Sequence, residues 1–563
     1  MNRKLFTETA CIFSTLMLVL AYFYILDLFE PSYVILFRGT IWVRVYRLGF
    51  IDQFPIFLFL LIFFLALDMY AYSIGGFKLV KKNRLVYYLL ATLTIMNCLP
   101  LTYWIVYMWR PQTLIGYFFR SYGWASELDA GFFHIYAPAY PLLLLATLYA
   151  WLSSVINRVF KGRVKLKVRC NMALNTTSDC KLSNSIFMKR LGLASVLLLS
   201  IALPLIPYLP SINPDFKPVS VDIRYYSIWL DNMLTVNCWN AIKYAFYGEY
   251  ASSRPLYLLL LYGLTSLGIP REIVLNFEAL FIFPFFTLAI YYATKQLSGS
   301  SLYALFASLA AVLGFNMTVG MMAGFFAAWT ALILFYICVA LTPGLMGGSL
   351  KSLAIVLTSS IAMLYIHPWT WSLLMAILTL YLASSTLQSL REGNFKLDRH
   401  LLTVLIGNAI ADIVKTLTYP SYGGLASSTA VLGYSRAFGF EPLLDLPRNL
   451  HRLTVSYVDG LFFNPLHMAL ALIGVLSLSK KGDSLSRLFV IWLAVVSLIF
   501  PFSNINLQSH LLFATPFPIL IAEGLWASSR LLARFDSKLP RLLQAFFITS
   551  SLTYTVRALC NLI

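Results

Sequence analysis

Charged residues are scarce in this chain, at 12% of 563 residues against 60% hydrophobic ones. Acidic residues are the scarcest, since 23 Asp and Glu stand against 42 Lys and Arg, for a formal net charge of +19. A soluble protein of this length cannot bury so much apolar surface, so the composition excludes a soluble globular fold and indicates a bilayer as solvent. No soluble domain is left to carry a basic groove, which argues against a nucleic-acid partner.

Cysteine is also sparse, with seven residues scattered along the chain. Only Cys238 falls in a sizeable loop predicted to lie outside the membrane. No Cys/His spacing typical of a metal site appears. The sequence therefore predicts neither a disulfide framework nor a zinc site.

Long apolar runs take up most of the chain. About fifteen of them suit membrane-spanning helices, so the predicted fold class is an all-α polytopic membrane protein. Tyr and Trp, which settle at membrane interfaces, are abundant. The predicted spans lie near residues 5–26, 55–74, 85–108, 135–156, 191–210, 273–294, 301–316, 320–342, 351–367, 368–387, 401–418, 457–478, 488–503, 510–529 and 542–560.

Basic residues predict the orientation of these spans. With the N-terminus in the cytoplasm, most lysines and arginines fall in cytoplasmic loops, including the dense run from Arg158 to Arg190. The first outer loop, with Arg38, Arg44 and Arg47, is an exception. We expect an integral multi-pass protein located in the cell membrane.

The apolar segment Pro255–Pro270 is ambiguous. It offers about sixteen residues where a span needs roughly twenty. Treating it as a span would reverse every later loop and move basic clusters outside. We therefore predict a helix that lies at the outer surface, or that dips into the membrane and returns.

The predicted organisation has three parts. Residues 1–156 form a four-span block, residues 157–190 a basic cytoplasmic linker, and residues 191–563 a larger membrane module. That module has two substantial loops, 211–254 and 419–456, both predicted to be extracytoplasmic. No internal repeat is visible, which counts against a secondary transporter.

Acidic residues are concentrated in the first of these loops, which holds Asp215, Asp222, Asp231 and Glu249. The spans themselves carry almost no reactive side chains. A membrane enzyme would keep its chemistry in a loop of this kind.

Four motifs follow the span that begins at Leu191 and resemble a known family. They resemble the GT-C superfamily, integral-membrane glycosyltransferases that take sugars from polyprenyl-linked donors and include protein mannosyltransferases and aminoarabinose transferases. The resemblance covers about two-thirds of the chain and does not include the four-span block. The motifs are VDIRYYSIWL (Val221–Leu230), SRPLYLLLLYGLTSLG (Ser253–Gly268), HPWTW (His367–Trp371) and HLLFATPFPIL (His510–Leu520).

The resemblance implies roles for particular residues. Asp222 matches the catalytic Asp that the family places just after its first span. His510 stands where relatives often have Arg, so this chain departs from the family at a position implied to bind phosphate. Two further binding candidates come from position in the chain. His367, at the predicted outer turn between two spans, is a candidate for substrate binding, and the alternative is a structural histidine near the aromatic belt. Arg254, which precedes the Pro-Leu-Tyr helix, is a candidate for phosphate binding.

The chemistry of sugar transfer from a lipid phosphate agrees with these roles. It needs a general base for the acceptor's proton and cations or strong donors for the leaving phosphate. An acid at the membrane edge gains basicity from partial desolvation, which suits Asp222. Arg224 is a candidate to tune that acid or to contact phosphate. The alternative is that Asp222 and Arg224 only pair at a loop surface.

Further candidates are acids and cations of the two loops. Asp231 and Glu249 are secondary acid candidates, and a solvated loop face explains them equally well. In the second loop Arg436, Arg448 and Arg452 are phosphate-binding candidates, because arginine binds phosphate oxygens in a bidentate fork. The alternative there is an interfacial segment with snorkelling arginines.

A divalent metal is compatible with this chemistry but is not indicated. Asp222 has no acid two residues away, so the paired-acid pattern that holds such an ion is absent.

The sequence thus predicts a membrane glycosyltransferase. It would move a mannose-like hexose from a polyprenyl phosphate, such as dolichyl phosphate, to an acceptor glycan, lipid or protein on the extracytoplasmic side. Asp222 would act as base, and the anomeric carbon would invert. Two alternatives remain: a transporter or flippase of a lipid-linked sugar, and a non-catalytic membrane scaffold.

Overall fold

The structure is a computed structural model that describes most of the chain after residue 185. The described ranges are 186–248, 251–393, 397–418, 464–480, 484–534 and 536–560, with two short strands near the N-terminus and a few isolated positions. The predictions for the four-span block, for most of the linker and for the loop 419–456 lie outside these ranges.

Helices make up nearly all of the described part. Short 3₁₀ turns occur at Leu203–Tyr208, Ala251–Ser253 and Phe500–Phe502. The α-helices are α1 Ile186–Ala202, α2 Ile223–Leu234, α3 Cys238–Tyr247, α4 Pro255–Ser266, α5 Arg271–Ser298, α6 Ser301–Val312, α7 Phe315–Ala323, α8 Phe326–Met346, α9 Leu350–Ile366, α10 Pro368–Arg391, α11 Arg399–Thr418, α12 Pro465–Lys480, α13 Ser484–Ile499, α14 Ile505–Phe513, α15 Phe517–Ala533 and α16 Leu539–Cys560.

A β-hairpin near the N-terminus departs from the all-helical prediction. Strand β1, Tyr33–Phe37, pairs antiparallel with β2, Thr40–Arg44. Both strands are rich in Val, Ile and aromatic residues, which favour extended structure. Only two residues separate them in the sequence, a spacing that suits a tight hairpin.

Six helical segments in the described part are long and apolar enough to cross a membrane, consistent with a helical membrane protein. A seventh is obtained if α14 and α15, which meet at a bend of 48°, count as one span. The predicted total of about fifteen spans stays a prediction. The six segments are Leu191–Tyr208, Arg271–Ser298, Ser301–Ala323, Phe326–Met346, Pro368–Arg391 and Arg399–Thr418.

The turn between two of these segments lies elsewhere than predicted. The sequence prediction ended one span at residue 316 and began the next at 320, but residues 315–323 form the buried helix α7. The chain turns at Gly324 instead, whose φ of +78° favours glycine. Asn316 and Thr318 are 3% and 2% exposed inside α7.

Other predicted spans form helices that are shorter or less apolar. Helix α9 has 17 residues, below the length of the six segments. Helix α16 has 22 residues but is not among the spans, although residues 542–560 were predicted to be one. The ambiguous segment forms α4, which has 12 residues and is too short to cross a bilayer as a helix.

Helices α12 and α15 cross at a pair of glycines. A Cβ atom on Gly524 would overlap the carbonyl oxygen of Leu470, and one on Gly474 would overlap that of Leu520. Ser477 on α12 donates a hydrogen bond of 2.6 Å to Glu523 on α15. Small residues at a crossing let helix backbones approach closely, as in membrane helix pairs.

We expect Gly524→Ala to destabilise the protein, because the added methyl group must push α12 and α15 apart. The expected loss is about 1–3 kcal/mol in the free energy of unfolding. Gly263→Ala is the matched control, since a Cβ there meets nothing within 4 Å. Thermal unfolding of detergent-purified protein checks this, and equal midpoints for the two variants would contradict the close crossing.

Candidate functional site

Asp222 lies at the N-terminal end of α2 and rests on the turn between α7 and α8. The amide of Val221 donates a hydrogen bond of 3.1 Å to the carbonyl of Met322. A Cβ atom on Gly324 would lie 2.7 Å from Ser220 Oγ and 3.0 Å from Asp222 Cβ. The absence of a side chain at Gly324 therefore lets the loop approach α8. The Asp222 carboxylate makes no capping hydrogen bond to α2.

Arg254 joins α2 to the start of α4. Its guanidinium donates a hydrogen bond to the hydroxyl of Tyr226, and its Cζ lies 5.7 Å from the centre of that ring. Tyr226 is fully buried and stands one helical turn after Asp222. Arg254 itself is half-buried and marks the beginning of α4. This contact brings two motifs that are distant in sequence to one place.

The electrostatics of Asp222 combine burial with nearby positive charge. Burial raises the pKa of its carboxyl group, while the charges of Arg254 and then Arg224 act against that rise. Burial also raises the pKa of Tyr226, so its hydroxyl keeps its proton while accepting from Arg254. Asp222 is thus a carboxylate of increased basicity beside a fixed cation.

The rings of His367 and His510 lie next to each other. Their ring centres are 5.2 Å apart, and Arg254 lies within electrostatic reach of both. Phe325 lies 5.1 Å from the His510 ring, and Trp369 is stacked 6.4 Å from it. Phe325 follows Gly324 directly. The turn against which Asp222 packs therefore also places an aromatic ring beside the histidine pair.

The two histidines differ in how they are held. His367 caps α10, with its Nδ1 2.8 Å from Thr370 Oγ1, and is 1% exposed. His510 lies in α14, and its Nδ1 is buried with no hydrogen-bond partner among the described residues. Because this nitrogen has almost no accessible surface, a ligand would reach it only if neighbouring side chains moved.

The crevice beside the histidines is nearly filled. It is lined by both rings together with Trp369 and Phe513, and its volume is only about 10 Å³. That is about the space of a single water molecule. A ligand larger than water must therefore approach from the Asp222 side or displace an aromatic ring.

Two buried residues next to Tyr226 and Arg254 were not predicted as site residues. Tyr257, in the Pro-Leu-Tyr motif, donates a hydrogen bond to Glu278 of α5. Its ring meets that of Tyr226 edge-on, with centres 5.4 Å apart. Glu278 is 3% exposed, and the sequence prediction gave it no role. The sequence did contain a signal for Glu278, because an acidic residue inside an apolar run usually pairs with another polar group.

Other predicted residues lie away from the histidines or are engaged elsewhere. Arg224 is exposed and donates a hydrogen bond of 3.0 Å to Tyr225, so the predicted alternative of a direct pair with Asp222 is not what the described residues show. Asp231 forms an ion pair with Arg271. Glu249, Arg436, Arg448 and Arg452 lie outside the described residues.

Two buried charged residues of α11, Asp412 and Lys415, lie near the turn that contains His367. Lys415 is fully buried, donates a hydrogen bond of 2.8 Å to the carbonyl of Leu364 and lies 5.1 Å from the Tyr365 ring. Asp412, three residues earlier, is 7% exposed. The ammonium group thus holds the end of α9 just before His367.

No cluster of three His, Cys, Asp or Glu side chains with the geometry of a metal site occurs within the described ranges. The only acid among the four converging residues is Asp222.

Comparison with protein-family models finds none that matches this chain. Comparison with curated proteins finds no significant match either. The GT-C resemblance therefore stays a prediction from the motifs.

We expect Tyr257→Phe to lower the free energy of unfolding by about 1–3 kcal/mol, because it leaves the buried Glu278 carboxyl without its donor. In a Glu278→Leu background the same change should cost much less, since no polar group is then left unpaired. A double-mutant cycle on thermal unfolding measures the difference. Equal costs in both backgrounds would contradict the hydrogen bond between Tyr257 and Glu278.

Proposed function

We propose that this chain is an integral-membrane glycosyltransferase that uses a polyprenyl-phosphate sugar. The observation that carries the proposal is the convergence of Asp222, Arg254, His367 and His510 from four separate motifs. Transfer of a sugar from a phosphate needs at least a base to accept the acceptor's proton and a cation to stabilise the leaving phosphate. The end of the helices that carries Asp222 would face away from the cytoplasm.

In the proposed reaction Asp222 takes the proton of the acceptor hydroxyl as its oxygen attacks the anomeric carbon. The bond between that carbon and the phosphate oxygen breaks, and the oxygen keeps the electron pair. Attack from the face opposite the phosphate inverts the anomeric carbon. The polyprenyl phosphate leaves with the additional negative charge, and the acceptor carries the sugar.

Arg254 has the charge and the position to receive that leaving group. Its guanidinium is held by Tyr226, so little of its freedom remains to be lost on binding phosphate. His510 adds a ring nitrogen with no partner among the described residues. Charge that develops on a phosphate oxygen is best stabilised by groups already in place, which favours this arrangement over flexible surface lysines.

We expect Asp222→Asn to lower the rate of sugar transfer by about 10²–10⁴-fold, because the amide cannot accept a proton. Asp215→Asn is the matched control, since Asp215 is an exposed acid of the same loop, paired with Lys217. The assay measures transfer from polyprenyl monophosphate sugars by purified full-length protein, with donor binding measured in parallel.

The outcomes of that experiment separate the alternatives. Loss of transfer with donor binding retained supports Asp222 as base. Donor binding without transfer in the unmodified protein would favour a transporter of lipid-linked sugars. If the folded protein bound no donor, the proposed function would be overturned. The non-catalytic membrane scaffold would then be the remaining alternative.

The proposed base also predicts a pH dependence. Transfer should fall as the pH drops through the raised pKa of Asp222, because only the carboxylate accepts a proton. Arg254→Met removes the positive charge with the larger effect on the pKa of Asp222, so the midpoint of the acidic limb should move to higher pH. Arg224→Met removes the charge with the smaller effect and should move the midpoint less.

Residual rates measured from acidic to neutral pH give these midpoints whatever the loss in absolute rate. Identical midpoints for the unmodified protein and Arg254→Met would show that Asp222 is not the titrating group.

A further inference from the structure

A second site lies at the opposite end of α8 from Asp222. Helix α8 starts beside the Asp222 loop, next to Gly324, and its 21 residues make it roughly 30 Å long. Near its far end Gly344 lies against Ser352, so that a Cβ on Gly344 would be 2.7 Å from the Ser352 hydroxyl. Lys351 precedes Ser352 in the first turn of α9. Lys351 is therefore about one membrane thickness from Asp222.

An apolar groove runs along the helices to Lys351. Its volume is about 550 Å³, and α5, α8 and α9 form its walls. From α8 it is lined by Ile333, Ile337 and Leu341, which recur every four residues on one helix face. Lys351 is the one charged side chain among its lining residues.

The groove is open to the side of the protein. Phe285 and Tyr292 of α5 line it and are 63% and 43% exposed. Both lie inside Arg271–Ser298, one of the segments apolar enough to cross a membrane. In a bilayer such a groove faces hydrocarbon, and an apolar chain fills it at no cost in lost hydration.

We propose that this groove binds one acyl chain of an anionic phospholipid, whose phosphate is held by Lys351. The apolar walls fit a hydrocarbon chain, and the ammonium group at one end fits the charge of a phosphate at the membrane surface. The amide groups of the first turn of α9 add a positive dipole at the same end. The charge pattern of the sequence predicts that this end is cytoplasmic, so the lipid belongs to the inner leaflet.

A polyprenyl-phosphate sugar is a poorer occupant of this groove. With its phosphate on Lys351, its sugar would lie roughly 30 Å from Asp222, too far for any reaction there. The lipid proposal does not depend on the transferase proposal, because it needs only the membrane and these three helices.

Native mass spectrometry of the full-length protein in detergent tests the proposal. The probes are phosphatidylglycerol and phosphatidylcholine with the same acyl chains. We expect the unmodified protein to prefer phosphatidylglycerol by about fivefold, the effect of one cation near a membrane surface. Lys351→Gln should abolish the preference and Lys351→Arg should keep it.

Matched variants separate the groove from general membrane charge. Lys295→Gln removes a cation at the end of α5, next to Tyr291 and outside the groove, and should keep the preference. Ile337→Trp fills the groove and should lower binding of both lipids. Phe281→Trp alters an exposed position of α5 outside the groove and should not.

Three results would overturn the proposal. One is equal binding of the two phospholipids by the unmodified protein. Another is a preference that survives in folded Lys351→Gln. The third is displacement of phosphatidylglycerol by an equal concentration of polyprenyl monophosphate in a manner that depends on Lys351, which would identify an isoprenoid as the occupant.

Discussion

The guanidinium group of Arg254 organises the candidate site. It is half-buried at the start of α4, where a positive charge needs partners to offset its lost hydration. The hydroxyl of Tyr226 accepts its hydrogen bond, and the charge of Asp222 lies within reach. Remove the guanidinium and Asp222 loses the cation that most opposes its protonation. The two histidine rings would also lose the positive charge of Arg254, which acts on both.

Backbone proximity makes this arrangement possible. Asp222 reaches α8 because Gly324 has no side chain and adopts a φ that other residues rarely adopt. The same turn delivers Phe325 to His510. Elsewhere, Gly474 and Gly524 bring α12 and α15 together, with the Ser477–Glu523 hydrogen bond beside them. Glycines thus allow close backbone contacts at these two places, and polar side chains form hydrogen bonds beside the α12–α15 crossing.

The sequence motifs predicted the candidate residues of this site but not the contacts between them. Asp222, Arg254, His367 and His510 were each predicted from separate motifs, and the structure brings them together. Hydrogen bonds such as Tyr226 with Arg254 and Tyr257 with Glu278 join residues 28 and 21 positions apart, and no helical or strand period relates such positions.

Boundaries were predictable only where a local signal was strong. Helix α10 begins at Pro368, as predicted, because proline suits the first turn of a helix. The turn after α6 was misplaced because residues 315–323 are apolar enough to continue a span, and Gly324 was not recognised as its end. The bend between α14 and α15 follows from Pro516 and Pro518, which remove backbone donors where one continuous span was predicted.

Helix α8 gives the molecule two chemically different ends. At its start the neighbours are a carboxylate, a guanidinium and two imidazoles, and the two imidazoles line a crevice of about 10 Å³. Toward its far end an open apolar groove of about 550 Å³ ends at a single ammonium group. At the first, the side chains contact one another and leave little empty space. The walls of the second are mostly apolar, and its one charged side chain lies at one end. A single helix separates these surfaces by roughly the thickness of a bilayer core, so the proposed sugar transfer and the proposed lipid binding would lie at opposite membrane faces.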